Sequence, residues 1–295
     1  MAIIQDYLNA GFALVPIPRG KKGPQFKGWN RQEAVITCDS HPALMVMGNV
    51  GLAHAYCQPS PTAVLDIDQL EPSKDWLSHR GIDLDELLDD PSAVQILSGR
   101  VGRAKLLYTM PSQVGPMVST STADGSGATI LEFRCATRAG LTVQDVLPPS
   151  IHPDTGQPYR WGGRGRWRNI PVMPLNLIEA WKSALASNLS NRSLRLRANP
   201  TSKSVDDTPR QRARLADMLA HISADCSFET YRAMVWAILS LGWDDVDQIA
   251  ESWSRTAPHR YEQDNFEGLV EDFDPTLSPS FGTIDFHARR GGWSV

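Results

Sequence analysis

The chain has 295 residues, 41% of them hydrophobic and 21% charged, enough for one large domain or two ordinary ones with proper cores. No apolar run approaches the roughly 18 residues needed to span a bilayer, and Met1 to Asp6 places no basic segment ahead of an apolar one, so neither a membrane association nor a signal peptide is expected. The four cysteines, Cys38, Cys57, Cys135 and Cys226, form no CxxC pair, which favours reduced thiols in a cytoplasmic protein over a disulfide framework or a zinc site.

The net charge of −4 conceals a strong regional imbalance. Lys and Arg number 12 against 16 Asp and Glu over residues 1–156, 12 against 3 over 157–214, and 5 against 14 over 215–295. The basic middle block contains Arg160, Arg164, Arg166 and Arg168 with Trp161 and Trp167 interleaved, then Arg192, Arg195, Arg197, Arg210, Arg212 and Arg214. Such a stripe can follow a phosphate backbone while the indoles offer stacking surfaces. A solvated basic linker would have the same composition.

In chain order, Gly11 to Ile17, Ala63 to Ile67, Ala93 to Leu97, Lys105 to Tyr108, Thr129 to Phe133 and Leu141 to Leu147 read as strands, short, apolar and bounded by turn residues. Helical pieces around Ser73 to His79 and Asp83 to Leu88 interleave with them, which points to an α+β fold or a mixed α/β one. Asn176 to Ala186 reads as a helix capped by Asn176, and the polar stretch Ser187 to Arg210, with Pro200 and Pro209, reads as a linker. Beyond it, Ala213 to Ile222, Tyr231 to Leu239 and Val246 to Trp253 repeat apolar residues at helical spacing, with Asp225 or Ser227 as N-cap and Gly242 as terminator of the second helix. Trp236, Trp243, Trp253 and Trp293 are expected to pack in a helical core. The expected organisation is a catalytic domain over 1–186, a linker over 187–210 and a small all-α domain over 211–295.

The most informative run is Ala63-Val64-Leu65-Asp66-Ile67-Asp68. Side chains alternate faces along a strand, so Asp66 and Asp68 project together with Val64, away from Leu65 and Ile67. Two adjacent carboxylates repel each other unless a hard divalent cation such as Mg²⁺ or Mn²⁺ sits between them; a strand end entering an acidic loop is the plainer alternative. A two-metal site needs a third acid, and Glu132 in Thr129-Ile130-Leu131-Glu132-Phe133-Arg134 is the candidate, with Arg134 on its face either as phosphate ligand or as a surface ion-pair partner. Ser98-Gly99-Arg100-Val101-Gly102-Arg103-Ala104-Lys105 is a glycine-spaced basic turn in which Arg103 and Lys105 can meet a triphosphate, unless it is an ordinary exposed hairpin. No GxxxxGK[ST] motif is present, so phosphate chemistry must rest on metals and basic side chains. Pro148, Pro149 and Pro153 stiffen the segment that carries Ser150 and His152.

Taken in order, these pieces resemble the prim-pol catalytic domain of the archaeo-eukaryotic primase superfamily, as found in phage and plasmid bifunctional primase–polymerases. The resemblance covers about residues 8–165: Gly11 to Ile17, Gly20-Lys21-Lys22-Gly23-Pro24, Gly28-Trp29, Gly48 to Leu52, the Asp66/Asp68 strand, the Ser98–Tyr108 turn, the Glu132 strand, Leu147 to Pro153 and Tyr159-Arg160-Trp161. It implies a template-dependent primase–polymerase acting on single-stranded DNA with NTP or dNTP substrates, by two-metal nucleotidyl transfer using Mg²⁺ or Mn²⁺. Asp66, Asp68 and Glu132 become the metal-binding and catalytic acids. Ser98, Arg103, Lys105, Arg134, Ser150 and His152 become nucleotide ligands, and Lys22, Arg160, Arg164, Arg166 and Arg168 nucleic-acid ligands. Lys105 stands where the family usually has a histidine, and a lysine binds phosphate as a point charge without titrating near neutrality. The acidic region 215–295 looks like the small helical primase C-terminal domain. A monomer working with a separate replicative helicase is expected. Two other readings of the same residues are a non-synthetic replication initiator with a degenerate prim-pol domain and a metal-dependent nuclease.

Overall fold

The aliphatic runs of the N-terminal half form two antiparallel sheets. The smaller sheet is ordered β1 (Leu14–Ile17), β2 (Asn49–Ala53), β8 (Gln144–Val146). The larger one is ordered β6 (Thr120–Ala123), β7 (Thr129–Arg134), β3 (Thr62–Ile67), β5 (Ala104–Thr109), β4 (Val94–Leu97), β9 (Arg160–Gly162). The fold class is α+β as expected. The computed structural model describes residues 2–38, 48–197, 205–273 and 279–294, which divide into two compact units, 1–185 and 186–295.

Alternation along β3 decides what each face of the larger sheet covers. Leu65 and Ile67, with Leu106 and Phe133 of the neighbouring strands, pack beneath α2 (Leu70–Ser78), α3 (Leu84–Asp89) and the start of α4 (Leu175–Arg197). Trp181 of α4 stacks on Phe133 at 5.2 Å between ring centroids. On the opposite face Val64, Val94, Ile96 and Leu107 pack against Leu14, Val15, Leu52 and Val146 of the smaller sheet. The helix α1 (Ala2–Asn9), which the sequence reading did not identify, buries Tyr7 in this second core; its hydroxyl donates to the Pro148 carbonyl at 2.7 Å and accepts from Trp161 Nε1 at 2.8 Å.

Two local expectations change. The helix that begins at Leu175 does not stop at Ala186 but runs to Arg197, so the first part of the expected linker is helical; residues 198–204 lie outside the described residues. Asn176 sits inside its first turn, where Oδ1 accepts from the Leu177 amide at 2.9 Å. Leu and Arg are good helix formers and override the Ser and Asn among them.

Among the described residues, the regular elements that lie wholly in the second unit are helices: α5 (Pro209–Ala220), α6 (Phe228–Leu239), α7 (Val246–Ser254), α8 (Gln263–Glu271) and α9 (Phe281–Arg290). Thr208 caps α5, its hydroxyl accepting from the Gln211 amide at 3.2 Å. Ser227 rather than Asp225 caps α6, accepting from the Thr230 amide. Trp243, Trp253 and Trp293 are buried in this unit's core and Trp236 packs against it, as the helical spacing implied. Among the described residues, no helix is long and apolar enough to cross a membrane.

Candidate functional site

Asp66 on β3 stands directly opposite Glu132 on β7 and Lys105 on β5. Directly opposed residues of antiparallel strands share a face, so these three side chains form one charged row on the face turned toward the smaller sheet. One step along, Arg134 opposes Val64. The ladder ends at Ile67, so Asp68 lies just past the strand rather than on its face beside Asp66; its amide donates to the Ile130 carbonyl at 2.9 Å and its carboxylate closes on Arg103. A cavity of about 290 Å³ nevertheless gathers Asp66, Asp68 and Glu132 with Lys105, Arg103, Arg134 and Ser98.

The turn between β4 and β5 supplies the basic wall. Gly99 (φ +78°) and Gly102 (φ +74°) adopt the left-handed conformation that side chains disfavour. They bend the chain so that Arg100 and Arg103 line the cavity while Val101 at the tip is fully exposed. Across the mouth, Lys22 pairs with Asp154 at 2.6 Å and also lines the cavity.

His152 is buried at the cavity wall. Its Nδ1 accepts from the amides of Asp154 (3.2 Å) and Thr155 (3.3 Å), which places the ring proton on Nε2. Burial, with the nearby Lys22 ammonium, lowers its pKa and keeps it neutral, so His152 presents a hydrogen-bond donor rather than a charge. Ser150 is not brought to the cavity: its hydroxyl accepts from the Val50 amide at 2.9 Å and donates to the Val50 carbonyl, tying the proline-rich segment to β2.

The structure adds two residues that the sequence reading missed. Asp145 on β8 and His54 after β2 are both buried, and Asp145 reaches the cavity from the smaller sheet. Asp145 accepts from Lys105, from Arg134 Nε at 3.0 Å and from His54 Nε2 at 2.9 Å. Since a carboxylate only accepts, His54 carries its proton on Nε2 and its Nδ1 faces the Thr62 hydroxyl at 2.9 Å. Burial alone would raise the Asp145 pKa, but the Arg134 guanidinium and the Lys105 ammonium outweigh it and hold the carboxyl well below its ordinary range. Burial pushes Asp66 up despite Lys105 beside it at 2.7 Å. Burial opposes the charge on Lys105, yet Asp145 and Asp66 together keep its pKa above the ordinary lysine value. The signal available in the sequence was a carboxylate inside the apolar run Leu141 to Leu147.

The residues of the basic stripe divide between the two units and differ in their partners. Trp161 and Trp167 stack on each other at 5.9 Å and pack against Tyr7, so each is half-buried against the second core rather than a fully open stacking platform. Arg168 pairs with Asp6 at 2.5 Å, and Arg164 donates to the Asp89 carbonyl at 3.1 Å. Arg160 and Arg166 are exposed. In the other unit Arg212 pairs with Asp207 and Asp245, and Arg214 with Asp285. The side chains of Arg192, Arg195 and Arg197 lie outside the described residues.

Of the four carboxylates that line the cavity, Asp66, Asp68 and Glu132 offer the hard oxygen donors that Mg²⁺ and Mn²⁺ require, so the donor chemistry fits. The ligand geometry is not assembled: among the described residues no three His, Cys, Asp or Glu side chains stand gathered as a metal-ligand set. Each acid is instead closed on a cation, Asp66 on Lys105, Asp68 on Arg103 and Glu132 on Arg134 at 2.6 Å. No curated protein matches the chain. Residues 4–176, more than half of the sequence, match the family described as bifunctional DNA primase/polymerase, N-terminal, and the chain belongs to that family.

Proposed function

We propose that the N-terminal unit is a template-dependent nucleotidyltransferase that makes primers on single-stranded DNA, and extends them, in phage or plasmid replication. The observation that carries this reading is the row Glu132–Asp66–Lys105 on one sheet face, with Asp68 and Arg103 at the same cavity, inside a domain of the primase/polymerase family. Asp66, Asp68 and Glu132 would hold Mg²⁺ or Mn²⁺, whose bound form supplies activation of a 3′-hydroxyl and neutralisation of the leaving pyrophosphate. Arg100, Arg103 and Lys22 bind the entering triphosphate at the mouth, where phosphate oxygens replace Asp68 and Asp154 as their partners. Lys105 and Arg134 meet the phosphates from the cavity floor. His152 donates from Nε2 without adding charge, and the Ser98 hydroxyl offers a further donor. Arg160 and Arg166 are exposed and suited to template phosphates. The helical unit would assist initiation or template handling, and unwinding would fall to a separate helicase.

The test is incubation of the full chain with a single-stranded template, Mg²⁺ or Mn²⁺ and labelled dNTPs or NTPs. Lengthened labelled products from the wild type, and none from the Asp66→Ala/Asp68→Ala double variant, support the reading. Equal synthesis by that variant overturns it, and shortened DNA would instead identify a nuclease. The cationic closure of all three acids favours a second reading, a replication initiator that binds DNA without synthesis. It predicts template retention with no extension under any metal.

A further inference from the structure

The acids around the cavity are of two kinds. The side chains of Asp66, Asp68 and Glu132 remain 22%, 20% and 28% exposed, whereas Asp145 is 4% exposed. Asp145 comes from the other sheet and spends both carboxylate oxygens: Oδ1 on Lys105, Oδ2 on Arg134 and His54. Lys105 and Arg134 therefore each bridge one buried acid and one accessible acid. Lys105 spans Asp145 and Asp66, and Arg134 spans Asp145 and Glu132. Arg134 is further held by the Gln144 carbonyl, which accepts from Nη2 at 2.9 Å.

We propose that Asp145 is a positioning residue, the standing counter-ion that keeps Lys105 and Arg134 aimed at the cavity when nucleotide and metal claim Asp66 and Glu132. This rests on the nucleotidyl-transfer reading above. A buried cation stripped of its last carboxylate is costly, so without Asp145 the two cations would hold on to Asp66 and Glu132 or swing out toward water. With Asp145 in place, Asp66 and Glu132 can be released while two positive groups stay fixed for the phosphates. His54, backed by the Thr62 hydroxyl, in turn fixes the Asp145 carboxylate. Lys105 and Asp145 thus act as a matched pair, and a lysine serves at this position because a buried acid from the second sheet faces it.

The experiment measures dATP binding by the full chain with Mg²⁺ present, together with KM and kcat for primer extension. The proteins compared are wild type, Asp145→Asn, Asp145→Glu, Lys105→Met and the Asp145→Asn/Lys105→Met double variant. Asp145→Asn should weaken dATP binding on the order of tenfold, the loss expected for charge-assisted contacts, and should raise KM more than it lowers kcat. The double variant should bind within about twofold of Asp145→Asn alone, because Lys105 without its anchor contributes little. A folded Asp145→Asn that binds dATP like wild type overturns the proposal. So does a double variant whose loss is the product of the two single losses. If Asp145→Asn does not fold, Asp145→Glu keeps the charge one methylene displaced. It should show a partial loss of dATP affinity, and unchanged affinity overturns the proposal. Wild-type protein that binds no dATP at all removes the nucleotide reading of the cavity and this inference with it, an outcome separate from a wild type that binds and an Asp145 variant that matches it.

Discussion

The two units of this chain place their charges differently. In the N-terminal unit a carboxylate, two histidines and several hydroxyls are buried, and ion pairs with little exposure line a cavity between two sheets. In the C-terminal unit the buried polar side chains among the described residues are Ser240 and Ser254, and each donates to a helix carbonyl, at 2.7 and 2.8 Å. Its ion pairs, such as Arg260 with Asp225 and Arg255 with Glu251, lie at the surface, where such pairs contribute little. Burying charge costs several kcal/mol per ion unless it is well paired. A fold that accepts this cost at one cavity and avoids it across a second unit sets that cavity apart from polar groups that serve packing and solubility.

The sharpest way to break this contrast is to remove charge from the cavity. Asp66→Ala with Asp68→Ala should lower nucleotide incorporation on the order of 1,000-fold, the scale of losing metal-borne transition-state stabilisation, while the circular dichroism spectrum stays unchanged. Removing packing from the second unit should do the opposite. Trp253 is 3% exposed, stacks on Tyr231 at 5.7 Å and donates to the Ile222 carbonyl at 2.9 Å. Trp253→Ala should destabilise that unit by roughly 3–5 kcal/mol in urea unfolding and leave dATP binding intact.

A smaller effect concerns the exposed arginines. Arg160→Glu with Arg166→Glu should weaken single-strand binding and flatten its dependence on log salt by about 0.7 for each phosphate no longer neutralised; an unchanged slope in a filter-binding titration removes both from the template path. The smallest is an acid titration. Hydrogen bonds from Arg212 hold Asp207 and Asp245 below the ordinary carboxylate range. Their contribution is complete above the unfolded-chain value near pH 4 and fades as pH falls through the depressed folded values. Arg212→Gln should therefore move the acid unfolding midpoint of the helical unit to higher pH, with no change at neutrality in nucleotide binding.

How much of this was legible beforehand depended on the range of the interactions. The alternation from Ala63 to Asp68 is local, and it identified both β3 and the face that carries Asp66. Glu132 stood out for the same reason, although its register opposite Asp66 is a long-range outcome of the ladder. Asp145 and His54 were missed because their importance lies in contacts across two sheets, between residues 91 apart in sequence, and neither sits in a recognisable motif. Trp161 and Trp167 were misread because an indole among arginines has the same composition whether it faces solvent or, as here, packs on a tyrosine from a distant helix. The polar run after Ala186 misled for a related reason: composition reports solvation, and a solvated segment can still be helical.

The alternation in β3 has a consequence for how this protein can change over time. Leu65 and Ile67 belong to a dry interior and Asp66 to a wet cleft, with a single backbone step between them. Point substitutions can retune the cleft one position at a time. Insertion or loss of one residue between Thr62 and Ile67 would exchange the two environments at once, driving a carboxylate beneath Trp181 and a leucine among the arginines. Length variation in the lineage should therefore concentrate in the connecting turns and spare this strand, so that gaps in related sequences trace its borders more sharply than residue identity does.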